Sequence, residues 1–469
     1  MKKKKRVTKI NAAYFAAVAF LAAYLFFQFG YPYHLMRREQ MSMFVYDGDY
    51  IAQTYRGVGW LAKFICDFLE QFFCLSVVGP VVVAALLTGI GFFAYKSARN
   101  FLGKGASLAV AAPFYLWSFV RETENIYSTR YTIVVLGFLA LLFAALRFRK
   151  VWMKAAAAVL LLGFGVWALG SPYHRYYGRL WGKPELTLEK VIALDTEVSR
   201  EHWDKVLRMS KKDLRISEAS YCYNLAHAMK GDLPLALMKR AQNYANSLLY
   251  WSTVSHSPFN VGVVGEAWYQ LGDMTLAEQS TIITLISMPN HVGTRPVMRL
   301  ARCNMVTGDE GAAQKYLDLL ARTLFYGRWA RRVLAGNPDE ATARWLEETR
   351  KKLPSMDRVY VENDFRPVLL GLLDADPTNS MARDYLLCYD LLLFDLDHFV
   401  EDYSEAGMPD VPIYKEAILI WLSQQDRLTE ATAAQYGVDT STMNRMQRFF
   451  RNPDGYKSTY WYYYLQALE

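Results

Sequence analysis

The sequence predicts an all-α protein in two parts, an N-terminal transmembrane helix bundle followed by a helical-repeat α-solenoid. Three observations carry this. The long apolar runs are concentrated in residues 1–170, whereas residues 184–469 carry charges every few positions. No segment alternates apolar and polar residues for long enough to demand a sheet. A Gly-Asp signature recurs in the second part, at Gly231, Gly272 and Gly308.

The first element follows a basic leader, MKKKKRVTK. Its apolar core fills a bilayer span, longer than a signal peptide needs, and no small-x-small cleavage site follows. It reads as an uncleaved anchor over residues 11–30. Further spans are predicted at 77–95, 105–120, 131–147 and 151–170, with Lys154 free to snorkel at the end of the last. Between the first two spans, residues 58–76 (VGWLAKFICDFLEQFFCLS) repeat apolar positions with helical spacing, interrupted by Lys63, Asp67, Glu70 and Gln71. They suit an amphipathic helix lying on the outer surface.

Charge predicts the orientation. Lys2, Lys3, Lys4, Lys5, Arg6 and Lys9 precede the first span. Lys96, Arg99 and Lys104 separate the second and third, and Arg147, Arg149, Lys150 and Lys154 mark the last turn. Those thirteen bases fall on one side. Arg37, Arg38, Arg56, Arg121 and Arg130 fall on the other, among acids. Positive charge stays inside, so the N-terminus is expected in the cytoplasm and the soluble part in the periplasm. The same asymmetry accounts for much of the net charge of +8, so no nucleic-acid partner is expected.

Two tags, GYPYH at 30–34 and GSPYH at 170–174, each end an apolar run on the outer side. Gly and Pro disfavour further helix and Tyr suits the headgroup level, so each tag reads as an interfacial stop. The alternative is a polar site for an anionic lipid headgroup or a lipid-linked sugar, built from His34, Arg37, Arg38 and Glu39 with His174 and Arg175.

Residues 171–183 form an interfacial linker, and the repeats occupy 184–469. The three copies are NLAHAMKGDLPLA, GEAWYQLGDMTLA and ARCNMVTGDEGAA. Each places a small residue five before the Gly (Ala226, Ala267, Cys303) and Ala five after it (Ala236, Ala277, Ala313). A glycine that ends one helix and an acid that caps the next explain the pair. The interval of 41 residues between the first two implies a longer loop around HSPFNVG. This pattern resembles the tetratricopeptide repeat, which implies antiparallel helix pairs stacked around a concave face. The resemblance places Glu218, Tyr221, Glu266, Tyr269, Gln270, Arg295 and Arg302 along a partner-binding groove. Weaker helical patterns at 200–213, 376–403 and 412–425 flank the copies, and the aromatic end, Tyr460 to Tyr464, is expected to help cap the stack.

Five cysteines show neither CxxC nor zinc spacing and read as free thiols. No hydrolase, zincin, Walker or dinucleotide motif is present, so no catalytic residue, metal site or cofactor is predicted. The segments YPYHLMRREQMSMFVYDGDYI, LAKFICDFLEQFFCLSVVG and LARCNMVTGDEGAAQKYLDLLARTLFYGRWA resemble an uncharacterised multi-pass membrane family of Bacteroidales-type bacteria. That resemblance implies an inner-membrane setting and no activity. The leading expectation is a membrane-anchored scaffold that recruits a protein or envelope polymer and contacts membrane lipid. The alternative is a glycosyl- or lipid-transferase using Asp47, Asp49, Glu122 or Glu124. A transporter would need ionisable groups within its spans, which are missing apart from Lys154 near an end.

Overall fold

The computed structural model describes residues 2–57, 59–124, 129–170, 183–212, 216–249, 258–288, 291–354 and 364–468, all helical or irregular, with no strand among them. Residues 171–182, which hold the second tag and nearly all of the expected linker, lie outside the described residues. The chain forms two compact units: residues 1–193 with 322–326, and residues 194–321 with 327–469.

The first unit contains α1 (Lys2–Leu25), α2 (Pro32–Gln40), α3 (Gly48–Thr54) and α4 (Trp60–Glu70). It continues through α5 (Val78–Ala98), α6 (Lys104–Glu122), α7 (Thr129–Ala145) and α8 (Val151–Gly170). The boundary between the units falls inside α9 (Leu186–Ser199). Each of the five expected spans is helical. By length and composition two can cross a bilayer, Ala13–Gly30 and Val78–Ala98, while Thr129–Ala145 is a shorter apolar helix. Only 11% and 39% of those two segments is buried, so much of each helix faces outward while one stripe packs inward. α5 is the hub: Val83, Ala84 and Leu87 pack with Ala23, Phe27 and Leu35, and Ile90 and Ala94 pack with Ala111 and Leu139.

The first tag does not end the helical path as expected. α1 closes with a π turn, Phe26–Gly30, and the path breaks at Tyr31 alone (φ −145°). Pro32 then starts α2, because a proline at the first helical position loses an amide that had no partner anyway.

The second unit runs through α10 (Trp203–Met209), α11 (Ser217–Lys230), α12 (Leu233–Ala236), α13 (Pro258–Leu271), α14 (Met274–Ser287), α15 (Thr294–Thr307) and α16 (Glu310–Ala321). Then follow α17 (Gly327–Leu334), α18 (Glu340–Arg350), α19 (Arg366–Ala375), α20 (Ser380–Leu393), α21 (Leu396–Glu405) and α22 (Pro412–Gln424). α23 (Glu430–Gln435), α24 (Thr440–Arg451) and α25 (Tyr460–Leu468) complete it.

The Gly-Asp signature has the expected geometry at Gly272 and Gly308, whereas at the first copy Asp232 makes no side-chain cap bond to α12 and pairs with His227 at 2.8 Å instead. Gly231, Gly272 and Gly308 are left-handed, with φ of 73°, 104° and 81°. The amide of Leu276 donates to Asp273 Oδ1 at 2.8 Å and that of Ala312 to Asp309 Oδ1 at 2.9 Å. All six small positions around the three glycines are buried. A fourth turn of this kind has no glycine: Phe394 takes the left-handed conformation (φ 61°) and Asp395 caps α21. The loop expected around HSPFNVG falls largely on residues 250–257, outside the described residues; before it α12 lasts four residues and passes into a 3₁₀ turn, and Pro258 opens α13. At the aromatic end Tyr460 and Trp461 are buried, the amide of Tyr460 and the indole N–H of Trp461 both donating to Glu416.

Alanine at Gly308 has open space but an unfavourable φ, so Gly308→Ala should cost about 1 kcal/mol. Alanine at Gly272 adds a clash, its Cβ falling 2.7 Å from Lys352 Cβ. Thermal unfolding of the full chain in detergent should show Gly272→Ala below Gly308→Ala, and both below wild type.

Candidate functional site

The richest concentration of ionisable groups lies in the first unit, around α2. Helical spacing along PYHLMRREQ sets Leu35 into the apolar core, while His34, Arg37, Arg38 and Glu39 turn toward polar neighbours. Arg38 is the centre. Its Nη1 pairs with the Glu122 carboxylate and donates to Thr129 Oγ1 at 2.9 Å, and its Nη2 donates to the Glu122 carbonyl at 3.0 Å. Thr132 Oγ1 donates to the other Glu122 oxygen. Glu122 is fully buried, so a lone charge there would be costly without this partner.

Tyr31 extends the network. Its hydroxyl donates to the Thr123 carbonyl at 3.0 Å and accepts from the Glu185 amide at 3.2 Å. Glu189 covers the start of α2, accepting the Tyr33 amide at 2.7 Å. Burial pushes its carboxyl up to about 8, against the pull of the Tyr33 and His34 amides. His34 is fully enclosed. Burial, with Arg38 and Arg37 nearby, holds its imidazole well below the usual range, so the ring is neutral. Its Nε2 is buried without a hydrogen-bond partner among the described residues.

α4 supplies a second set of acids. Cys66, Asp67 and Glu70 are all buried, with ligand-type atoms within 4.8 Å of one another. Burial raises Asp67 to about 6, opposed by Lys63 and by the Tyr55 hydroxyl, which donates to it at 3.1 Å. Burial raises Glu70 to about 7, opposed by Arg38. A thiol and two carboxyls at this spacing have donors for a divalent cation. Here the neighbouring guanidinium already offsets the carboxylate charge, so the arrangement works as a closed polar layer. Meanwhile the apolar side of α4 faces outward, with Trp60 49% and Leu61 53% exposed.

Of the headgroup residues predicted from sequence, the structure brings His34, Arg37, Arg38 and Glu39 together in α2 and buries them or nearly so. Glu39 accepts the Tyr326 hydroxyl at 2.9 Å. His174 and Arg175 lie outside the described residues. The outer-loop acids have structural partners. Asp47 caps α3 by accepting the Tyr50 amide and pairs with Arg322 at 2.9 Å, and Glu124 pairs with Arg121 at 2.7 Å. Asp49 is exposed in the first turn of α3.

In the second unit the predicted groove residues fall into four placements. Tyr221 is buried, donating to the Val264 carbonyl at 2.7 Å and accepting from the Ala267 amide. Glu266 and Arg295 belong to one chain of charges. Arg295 pairs with Asp195 at 2.7 Å and with Glu266 at 2.8 Å, and Arg299 pairs with Glu266 at 2.6 Å. These arginines hold the Glu266 carboxyl below its ordinary range although burial alone would raise it. Glu218 and Gln270 are half-buried and apart from that chain, Gln270 reaching Glu201 at 3.5 Å. Tyr269 and Arg302 join an aromatic ladder. Arg299 lies 3.4 Å over the Tyr269 ring, Tyr269 stacks on Trp345, and Arg302 sits between Trp345 and Trp329 at 5.6 and 5.9 Å.

Sequence reasoning missed the inward role of Cys66, Asp67 and Glu70. Their signal was present: with Lys63 they occupy one stripe of α4. What periodicity does not say is which stripe turns inward.

Arg38→Met or Glu122→Met leaves one buried charge alone and should cost about 3–5 kcal/mol each. The double variant should cost far less than their sum in a thermal-unfolding cycle. The Glu70 carboxyl keeps its proton to about pH 7 when folded and ionises near 4.5 when unfolded. Folding therefore takes up a proton between these values, and stability falls as pH rises through that window. Glu70→Gln should unfold at a higher temperature than wild type at pH 8, by about 3 kcal/mol, and at the same temperature at pH 4.

No curated protein and no solved structure matches this chain. A family model does, over residues 6–180 and 173–467. The chain therefore belongs to a family of unknown function, DUF6057.

Proposed function

We propose that this chain is a membrane-anchored binding or scaffold protein. Its N-terminal bundle sits in a bacterial inner membrane with the N-terminus in the cytoplasm. Its second unit is a tetratricopeptide-like α-solenoid in the periplasm that recruits a protein or an envelope polymer. Support for the membrane comes from the outward apolar surface of the first unit, where Phe15, Leu21, Phe29, Val81, Leu116 and Leu141 are all exposed. In water such a surface would be covered by another molecule, whereas lipid accepts it. Support for the solenoid comes from the Gly-Asp turns between consecutive packed helices.

The binding role rests on Arg302. It is half-buried, flanked by two tryptophans, and forms no ion pair among the described residues. The Trp329 indole is fixed by donating to Thr342 Oγ1 at 3.1 Å. Arg328, Arg331 and Arg332 are exposed on the same helix as Trp329. A rigid aromatic pair carrying a cation, next to further cations, suits an anionic partner. The enzyme alternative is less favoured because Asp47, Glu122 and Glu124 are each engaged in a cap or ion pair.

Two measurements test this. Cysteines at the exposed positions Gly48, Asn100 and Ser458 should separate under a membrane-impermeant maleimide, with outer-membrane-permeabilised cells labelled at 48 and 458 but not at 100. Protection of 458 until solubilisation would put the repeats in the cytoplasm. A photo-reactive residue at Arg332 should give a discrete adduct in living cells that Arg302→Ala weakens, and the same residue at Ser458 should give none. No adduct from 332 would sink the scaffold reading.

A further inference from the structure

We infer that the groove between α1, α5 and α6 holds one acyl chain of an anionic phospholipid, with the lipid phosphate at Lys104. The groove encloses about 310 Å³, within the roughly 300–1,000 Å³ typical of ligand pockets. It exists because small residues line it from all three helices: Ala16 and Ala19 on α1, Gly91 on α5, and Gly105, Ala111 and Ala112 on α6. Tyr115 closes one side. Its hydroxyl donates to the Ala19 carbonyl at 2.5 Å, tying α6 to α1, and Gly91 of α5 faces its ring. Phe15, Phe92 and Leu116 stand exposed along the edges.

One end of this apolar trough is cationic. Lys104 lines it at the start of α6, and Lys96 lies 5.5 Å over the Phe92 ring at its edge. Arg99 follows in the same turn, and no carboxylate occurs in the sequence between Glu70 and Glu122. Lys104 has no ion-pair partner among the described residues. A neutral hydrocarbon would make no use of these cations, and a small soluble anion would make no use of the trough. A ligand apolar along its length and anionic at one end uses both. Basic pockets between membrane helices on the cytoplasmic side take anionic headgroups for this reason.

The inference rests on the first unit being embedded in a membrane. The full chain, purified in mild detergent, would be exchanged into micelles doped with phosphatidylglycerol or phosphatidylcholine and examined by native mass spectrometry. Wild type should retain one phosphatidylglycerol in preference to phosphatidylcholine. Gly105→Leu should lose it: Gly105 lines the groove, and a Cβ there meets nothing within 4 Å, so the substitution can add bulk at the groove wall. Lys104→Glu should lose the preference, and Lys104→Arg should keep it. Equal retention of both lipids by wild type, or retention unchanged in both Gly105→Leu and Lys104→Glu, would overturn the site. An alkaline carbonate wash separates the two premises. Release of the protein from membranes would overturn the membrane reading and the groove site with it. A protein that stays in the membrane yet shows no lipid preference would overturn the groove site alone.

Discussion

The first unit is organised by the need to satisfy one buried guanidinium. Arg38 carries five N–H donors that no solvent reaches freely, and each needs an acceptor. The Glu122 carboxylate, the Glu122 carbonyl and the Thr129 hydroxyl accept from its two Nη groups at the end of α6 and the start of α7, while Nε is buried without a partner among the described residues. α2 must therefore sit against both helices, and it arrives there through Tyr31, which binds the next carbonyl along, that of Thr123. The same charge reaches the groups around it. It helps keep His34 neutral and eases the burial of Glu70. A purely apolar core could be equally stable, but it would not define which side chain of α2 meets which end of α6.

The repeat turns were legible from sequence because their demand is local. A left-handed residue followed by an N-cap acid is written in two adjacent letters, and Gly272 with Asp273 and Gly308 with Asp309 show it, while Gly231 keeps the left-handed turn but Asp232 pairs with His227. The turn at Phe394 was not legible: there Phe takes a conformation that glycine usually supplies, held by the flanking helices, so only Asp395 keeps the signature. The fate of PYH was misread for a related reason. Proline breaks a helix it interrupts but starts one at its first position, and the letters do not say which position it holds.

The candidate sites were partly legible, and their fate follows from electrostatics. Repeat arithmetic places Glu266 and Arg295 along one face, as charges available to a partner. Arithmetic does not include Asp195, a hundred residues before Arg295, whose carboxylate meets the guanidinium through both oxygens at 2.7 and 2.8 Å. Opposite charges within reach pair and bury together when each also has hydrogen bonds, and the chain from Asp195 to Arg299 does so. Asp390 is a contrasting case. It is buried with neither oxygen hydrogen-bonded among the described residues, with Asp402 beside it and Arg366 Nε no nearer than 4.0 Å, and burial drives its carboxyl strongly upward.

One helix of the first unit, α4, handles apolar and polar residues in the opposite way to the second unit. In the second, aliphatic and aromatic side chains are enclosed, and charges are mostly outside or paired. In α4 of the first, the acids are enclosed and tryptophan and leucine are outside. Periodicity is identical for a helix and its inversion, so the direction has to come from the solvent. Water around α4 would favour the opposite rotation, exposing Asp67 and Glu70 and hiding Trp60 and Leu61. The observed rotation is favourable only where the surroundings are apolar or interfacial. The membrane setting proposed above would account for both the outward apolar stripe of α4 and the raised carboxyls that face inward, with Arg38 as their countercharge.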